Sequence, residues 1–357
     1  MSNGFKIGSI GKIDIRIHWS LSLLLLLSLI LLLYGYYLFF IIILLLFACV
    51  FIHELAHSIT AIRNDIKVSE IDLNIIGGAS IIDITKVKPS TELRIALSGP
   101  IASIFIGGIF GMLSTLFTSG GVISYIFQLM FEINILLGVF NIIPAFPLDG
   151  GRILKSYLQK KRNEFDSSML AAKISSIVIV LFLFFSIVYV FYIPGSLFYK
   201  EFEFFIFLFI AIFMYGGSEA EKETAIIKYE CGNLTVGKIT GNDFSIISSK
   251  LSGEEIYKVA LKRSQDVLLI RDNDMFRYID PFKSRNTYIK NAYDLSTPAL
   301  SVESNESVFN VLAKLQSSGS GIAVILKQKK PIGIITVQRI QSFIYLHMLA
   351  RKTKKNL

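Results

Sequence analysis

The sequence predicts an α-helical membrane domain of six spans, with a short β-rich segment after the second span, followed by a soluble α/β tandem. Hydrophobic residues make up 53% of the 357 residues and charged residues only 18%. Long runs without any charge are confined to residues 1–218, whereas residues 219–357 have the composition of an ordinary soluble domain. The chain is therefore expected to contain a membrane domain, 1–218, and a second domain, 219–357.

Six apolar runs are the predicted spans. Tyr34-Gly35-Tyr36-Tyr37 separates the first two, as suits a tight turn at the membrane interface. The first run has no small-residue cleavage site, so we expect a retained span rather than a signal peptide. Span six is the shortest, and a locally thinned bilayer can accommodate it. The runs lie at about 17–34, 37–60, 93–117, 122–142, 172–193 and 202–218.

The net charge of +9 comes mainly from basic residues that flank the spans and form the tail. Basic residues collect on the cytoplasmic side of membrane proteins, so this pattern predicts a multi-pass protein of the cell membrane with both termini in the cytoplasm. The lipid bilayer then explains the charge, and no nucleic-acid partner is expected. A basic tail at residues 351–355 could also rest on anionic lipid.

Span two carries His53, Glu54 and His57, a His-Glu-x-x-His motif inside an apolar run. The two histidines are four residues apart, so on a helix both imidazoles project from one face and can bind one zinc ion. Glu54 is placed beside them as a proton acceptor. Ionisable residues are costly in a membrane and are by default functional candidates. The motif therefore predicts one zinc ion per chain, with Glu54 as the catalytic carboxylate.

A third zinc ligand is expected after span four, where residues 141–151 read NIIPAFPLDGG. Two prolines and two glycines interrupt the helix there. Irregular backbone at membrane depth is tolerated where it is buried in protein or lines a cavity. Asp149, on this bent segment, is the best candidate for the third ligand.

Residues 66–87 alternate between polar and apolar, with an interruption at Gly77-Gly78, and predict a short strand pair or a sheet-like loop. The segment could be only a connector, or its edge could hold an extended peptide by strand addition. Glu132, in the middle of span four, is a further oddity. We expect it to be neutral or hydrogen-bonded between helices, with a gating or proton-transfer role as the alternative.

The soluble domain contains an internal repeat. Residues 233–286 and 291–347 are offset copies in which an amphipathic helix, at 254–261 or 307–314, precedes an apolar strand, at 267–270 or 322–326. The second copy ends with Gly-Ile-Ile-Thr at 333–336. This pattern predicts two similar α/β units.

His53-Glu54-Leu55-Ala56-His57 in a membrane span, followed by NIIPAFPLDGG at 141–151, closely resembles the site-2 protease family of intramembrane zinc metalloproteases. The resemblance covers roughly residues 1–218. It implies that His53, His57 and Asp149 are zinc ligands and that Glu54 is catalytic. It also places Asn141 near the substrate or the oxyanion, and Gly77, Gly78 and Ser98-Gly99-Pro100 match further family features.

The repeat resembles a tandem of cystathionine-beta-synthase (CBS) domains, in a partly degenerate form. The resemblance implies a homodimer through this pair and an adenine nucleotide site that includes Thr336. Arg339 stands where that family often has an aspartate that holds a ribose, and the first copy lacks the Gly-x-x-Thr pattern. These differences put the nucleotide site in question.

Three kinds of protein are compatible with these motifs. The leading interpretation is an endopeptidase that cuts a membrane-spanning protein in or near the cytoplasmic half of its helix, with the C-terminal domain as a regulator. A metal-dependent transporter would use the same ligands but does not explain Glu54 beside them. An inactive scaffold that only binds membrane helices would not need a complete ligand set.

Overall fold

A computed structural model describes residues 4–11, 13–75, 77–82, 87–117, 121–192, 197–241, 243–263, 267–272, 275–280 and 291–355. The chain divides into two units, Ser2–Ala225 and Ile226–Leu357. The dividing point lies inside one continuous helix, seven residues beyond the expected domain boundary at 218/219. The expected boundary at 218/219 marks the place where the apolar surface ends. As a domain boundary it stays a prediction.

The described residues of the first unit form seven helices: α1 Trp19–Leu33, α2 Tyr37–Ile62, α3 Pro89–Leu116, α4 Val122–Ile142, α5 Asp149–Leu158, α6 Glu164–Tyr192 and α7 Leu197–Cys231, whose last turns belong to the second unit. Among the described residues, five helices (α2, α3, α4, α6 and α7) are long and apolar enough to cross a membrane. Helix α1 is apolar but has 15 residues, about 22 Å at 1.5 Å per residue. Each predicted span thus coincides with an apolar helix, and the count of six crossings stays a prediction.

The surface of these helices is apolar, whereas polar side chains are buried among them. Leu33, Phe105 and Leu136 are 81%, 69% and 69% exposed, whereas the serines at 103, 167 and 175 are buried. Large apolar side chains on the outside are favourable only in a lipid environment. This arrangement confirms the prediction of a helical multi-pass membrane domain.

A four-stranded sheet accompanies the helices, formed by β1 Gly4–Ile10, β2 Ile13–His18, β3 Val68–Asn74 and β4 Gly77–Ile82 in that order. Strand β2 pairs with β3 in parallel, and the other two pairs are antiparallel. The β-rich segment after span two is confirmed, whereas the sequence analysis did not predict that the N-terminal segment also joins this sheet. Its basic residues belong to a β-hairpin, in which Lys6 lies 2.6 Å from Asp14 and Arg16 lies 2.7 Å from Glu70 of β3.

The ends of two helices differ from the predicted spans. Helix α6 begins at Glu164 instead of 172, and α7 continues to Cys231 instead of ending near 218. Residues 219–230 are rich in Glu, Ala and Lys, which favour helix, so the charge that ends the membrane span does not end the helix. The turns expected between spans three and four, at 118–120, and after span five, at 194–195, lie outside the described residues.

The second unit contains two sheets. Strands β5 Phe244–Ile247, β6 Val267–Asp272, β7 Met275–Ile279 and β8 Thr297–Pro298 form one, and β9 Leu300–Glu303, β10 Ile322–Lys327 and β11 Lys330–Thr336 form the other. In each, the first two strands are parallel and the next pair is antiparallel. The helices of the unit are α8 Gly253–Arg263, α9 Ala292–Leu295, α10 Val308–Ser318 and α11 Val337–Lys355, with a 3₁₀ turn at Val236–Lys238.

A β-α-β-β arrangement therefore occurs twice, as the internal repeat predicts. Strand β6 is buried on both faces: Leu268 and Ile270 pack in one apolar cluster, whereas Val267 and Leu269 pack in another. Residues of β10 alternate in the same way between two clusters. Each central strand thus has apolar neighbours on both sides, which explains why both strands are continuous apolar runs.

Candidate metal centre

Two histidines of α2 face the interior of the membrane unit. His53 and His57 are only 4% and 6% exposed, and their ring centroids lie 4.8 Å apart. Because one helical turn separates them, both imidazoles project from the same side of α2. The spacing of four residues therefore directs one nitrogen atom of each histidine towards the same location.

Asp149 reaches the same location from the segment between α4 and α5. It is the first residue of α5 and is 8% exposed. The preceding segment is bent: the Phe146–Pro147 peptide is cis, and the Phe146 N–H donates to Ser175 Oγ of α6 at 3.1 Å. The expected bend thus delivers Asp149 to the histidines.

Three ligand atoms form a nearly equilateral triangle. Asp149 Oδ2 lies 3.0 Å from His53 Nε2 and 3.2 Å from His57 Nε2, and the two Nε2 atoms are 3.2 Å apart. Ligand atoms of a tetrahedral zinc site, with bonds of about 2.0–2.2 Å, lie about 3.3 Å from one another. These three residues are also the one His/Cys/Asp/Glu group found that could hold a metal ion, within the part of the chain that the structure describes. The donor set fits zinc.

The other ring nitrogens fix how the histidines are protonated. His57 Nδ1 lies 2.7 Å from the Ile95 carbonyl oxygen. A carbonyl can only accept, so Nδ1 carries the proton, and in the neutral ring Nε2 presents its lone pair to the centre. His53 Nδ1 lies 2.9 Å from Ser103 Oγ, which is compatible with the same tautomer. Two lone pairs and a carboxylate that converge in this way suit a bound cation.

Helix α3 approaches the centre so closely that only glycine fits at position 99. A Cβ atom added at Gly99 would overlap the Nε2 atoms of both His53 and His57. Within Ser98-Gly99-Pro100, which matches a feature of the family that the sequence resembles, Gly99 thus leaves space for the two imidazoles.

Glu54 lies between the centre and strand β4. A Cβ atom added at Gly78 would overlap Glu54 Cγ and lie 3.3 Å from its Oε1. The neighbouring Gly77 has a φ of +149°, a backbone conformation that side chains rarely adopt. The structure thus places Gly78 of this pair against the predicted catalytic carboxylate.

Asn141 is near the end of α4, and its Nδ2 donates to the Leu137 carbonyl of its own helix at 2.9 Å. Its predicted place near the substrate or the oxyanion stays a prediction. Asn134 lies two turns before Asn141 on the same face of α4, and this residue is buried. Its Nδ2 donates to Met130 O at 2.8 Å and to Cys49 Sγ at 3.1 Å.

Glu132 does not lie between helices, so that expectation is wrong. The side chain is exposed on α4 and accepts a hydrogen bond from Gln128 Nε2 at 2.8 Å. Residues 128 and 132 are one turn apart, so the partner is supplied by the same helix face. The expected hydrogen bond is confirmed, with a different partner.

In the second unit, Thr336 is the last residue of β11 and directly precedes α11. Its Oγ1 accepts a hydrogen bond from the backbone N–H of Arg339 at 3.2 Å, as a helix cap does. Arg339 Nη1 lies 3.8 Å from Asp243, and a Cβ at Gly241 would overlap its guanidinium group. A nucleotide site at Thr336 stays a prediction.

The sequence interpretation missed the residues that orient the histidines. Ser103 and the Ile95 carbonyl hold the two Nδ1 atoms, and Gly99 lies between these two residues on α3. Ile95, Gly99 and Ser103 are spaced by four residues and so share one face of α3. Ile95 acts through its backbone carbonyl, which leaves no signal in the sequence.

Comparison with known proteins points to one family for the membrane unit. The model for peptidase family M50 matches residues 40–123 and 106–186. The zinc metalloprotease MJ0392 of Methanocaldococcus jannaschii is 33% identical over 221 residues, which is 61% of this chain and 60% of that protein. The chain thus spans less than two thirds of the length of this curated relative.

Two solved structures are similar to parts of the chain. The site-2 protease from Methanocaldococcus jannaschii is 30% identical, with a TM-score of 0.44, over 61% of this chain and 95% of that one. The CBS domain of a bacterial CNNM/CorC family Mg²⁺ transporter is 13% identical, with a TM-score of 0.31, over 38% of this chain and 94% of that one. The matched segments include both histidines and Asp149. The membrane unit thus matches the model of peptidase family M50 over residues 40–186 and is similar in sequence to a zinc metalloprotease.

Proposed function

We propose that this chain is an intramembrane zinc metalloendopeptidase, which hydrolyses peptide bonds in or near the cytoplasmic half of the transmembrane helix of a protein substrate. The observation that carries the proposal is the triangle of His53 Nε2, His57 Nε2 and Asp149 Oδ2, with Glu54 next to a ligand, inside helices with an apolar surface. A metal-dependent transporter or a scaffold needs no carboxylate at position 54.

Each residue of the metal centre would have its own role in the hydrolysis. His53, His57 and Asp149 would hold the zinc ion, which polarises a carbonyl and makes water nucleophilic near neutral pH. Glu54 would accept a proton from the attacking water and deliver one to the leaving nitrogen. Gly78 packs on Glu54 and limits the positions that its carboxylate can adopt.

The depth of the cut follows from the position of the histidines in α2. His57 is five residues from the end of this helix at Ile62, and Arg63 follows directly. We infer from the distribution of basic residues that this end faces the cytoplasm, as do both termini, in the cell membrane. The centre would then lie in the cytoplasmic half of the bilayer.

Strand β4 offers a way to hold the substrate. A peptide in a helix has its carbonyl groups occupied, so the substrate must unwind locally before hydrolysis. Strand β4 is the last strand of its sheet, and its Gly78 lies against Glu54. We propose that an unwound substrate adds to this edge. Proline substitutions within 77–82 should then slow cleavage; if they leave the rate unchanged, strand addition is excluded.

The second unit is proposed to regulate the protease and to form a homodimer. The support is its repeated β-α-β-β arrangement, a module distinct from the metal centre. Adding AMP or ATP to the full chain and measuring cleavage tests the regulation, and light scattering tests the dimer. An unchanged rate with each nucleotide and a monomer in solution would exclude both.

The deciding experiment is cleavage of a model single-span protein in liposomes, with the cut mapped by mass spectrometry. Replacing Glu54 by Gln should lower the rate by about 10²–10⁴-fold, because proton transfer by a positioned side chain contributes about this much. Zinc content should stay near one per chain, and a chelator should abolish cleavage.

Glu132→Gln is the matched control, because it makes the same change on an exposed carboxylate in the membrane. This variant should cleave at the wild-type rate. Full activity in Glu54→Gln, or a purified chain that binds no zinc, would overturn the proposed function.

A further inference from the structure

A groove of 590 Å³ runs along the outer surface of the membrane unit between α2 and α3. Its walls are mostly apolar. Ile59 of α2 and Ile101 and Phe105 of α3 line it and are 41%, 58% and 69% exposed. In a helix bundle with an apolar surface, such a groove is open to lipid.

Two arginines lie at one end of the groove. Arg63 follows the last residue of α2, and Arg94 lies in the second turn of α3, so the antiparallel arrangement of these helices brings both to the same end. Both are exposed, and neither has an ion pair among the described residues. Arg94 Nε and Nη2 contact only Ser90 O and Thr91 Oγ1 of its own helix, at 3.3 and 3.4 Å.

The dimensions match one leaflet of a membrane. From Arg94 to Phe105 the groove follows eleven residues of α3, which is about 16 Å at 1.5 Å per residue. Half of a hydrocarbon core about 30 Å thick is about 15 Å. A molecule with an anionic head at the arginines would therefore extend its apolar part towards the middle of the bilayer.

The groove is distinct from the metal centre. Ser98 lines it, and its Oγ lies 3.5 Å from His57 Nδ1, whereas the next residue, Gly99, about 100° further around α3, faces the Nε2 atoms of both histidines. Ser98 Oγ donates to the Ile95 carbonyl at 2.7 Å, the same oxygen that accepts from His57. The groove and the metal centre thus share one helix but use different faces of it.

We propose that this groove binds one anionic glycerophospholipid, with its phosphate between Arg63 and Arg94 and an acyl chain along Ile101 and Phe105. Charge complementarity determines the occupant. Guanidinium groups bind phosphate in a planar, bidentate manner. Basic pockets between membrane helices on the cytoplasmic side bind anionic lipid headgroups.

The test is native mass spectrometry of the full chain in detergent with phosphatidylglycerol, phosphatidylcholine or inorganic phosphate. One phosphatidylglycerol per chain should bind, and phosphatidylcholine should bind more weakly. The double variant Arg63→Gln, Arg94→Gln should lose about 30-fold in affinity for phosphatidylglycerol, because each basic residue near an anionic lipid contributes about fivefold. Arg162→Gln, at another exposed arginine, should bind like the wild type.

Ala102→Leu tests the apolar part of the site, because it keeps both arginines and fills the groove. It should weaken phosphatidylglycerol binding, and it also decides the question if the double variant fails to fold. Inorganic phosphate should not compete at millimolar concentration. Equal binding of phosphatidylglycerol by the wild type and Ala102→Leu, or full competition by phosphate, would show an anion site without a lipid groove and overturn the proposal.

Discussion

The two units of the chain differ in how many polar residues they bury among their apolar ones. In the membrane unit the buried set includes His53, His57 and Asp149, whereas large apolar residues such as Phe105 are exposed. In the second unit the largest fully buried side chains are apolar, and Leu269 and Ile335 are examples with no exposed surface. Within the described residues, the membrane unit thus combines an interior of mixed polar and apolar residues with an apolar surface, whereas the buried residues of the second unit are almost all apolar.

The difference follows from the solvent of each unit. Lipid tails are as apolar as leucine, so helices in a membrane associate through close packing of small residues and through interhelical polar contacts. In water, burial of apolar area is the dominant favourable term. Buried polar residues of the membrane unit are therefore available for chemistry, whereas buried residues of the second unit mainly stabilise the fold. Substitutions in the two interiors should fail in different ways.

The largest expected effect on stability is in the second unit. Leu269→Ala removes a fully buried side chain between the two sheets and should lower the free energy of unfolding of that unit by about 2–5 kcal/mol. Hydrogen exchange measured by mass spectrometry over β6 and β10 reports the change. Leu261→Ala is the matched control, since Leu261 is 62% exposed. Zinc content should be unchanged in both variants; loss of zinc in Leu269→Ala would contradict the division between the units.

The converse experiment is Gly99→Ala. A methyl group there overlaps the Nε2 atoms of both proposed zinc ligands, so zinc affinity should fall about 100-fold, in the upper part of the 1–3 kcal/mol that overpacking costs. A competition titration against a chelator measures the affinity. Gly108→Ala, where an added Cβ meets nothing within 4 Å on the same helix, should bind zinc normally. Equal affinities in the two variants would mean that α3 can move away from the centre.

Local patterns explain what could be predicted from the sequence. The i, i+4 spacing of His53 and His57 places both side chains on one face of α2. The prolines before Asp149 interrupt the helix, and the bent segment places Asp149 beside the two histidines. Charge-free runs predict the apolar helices, and the offset copies predict the β-α-β-β repeat. Each of these features depends on residues close together in the chain.

Non-local pairing explains what could not be predicted. The N-terminal hairpin pairs with β3, which lies about fifty residues later in the chain. Its strands become recognisable only once the contact between Arg16 and Glu70 is known. Glu132 was expected between helices because its charge is costly in lipid, but Gln128 satisfies it on the exposed face. Ser103 carries no motif of its own. Its role depends on the distance between α2 and α3.

The smallest effect that should still separate the two interiors is that of Ser103→Ala. The hydroxyl holds His53 Nδ1 at 2.9 Å, and loss of such a partner of a metal ligand costs about 10–100-fold in metal affinity. We expect the lower end, about tenfold, because a water molecule can replace a hydroxyl. Ser186→Ala is the matched control: this serine is also buried, but its hydroxyl donates to Phe182 of its own helix at 2.7 Å. A tenfold loss of zinc affinity in Ser103→Ala alone, with unchanged thermal stability, would show that a buried polar group of the membrane unit serves the site and not the fold. Equal zinc affinity in both variants would instead mean that the packing of α2 alone orients His53.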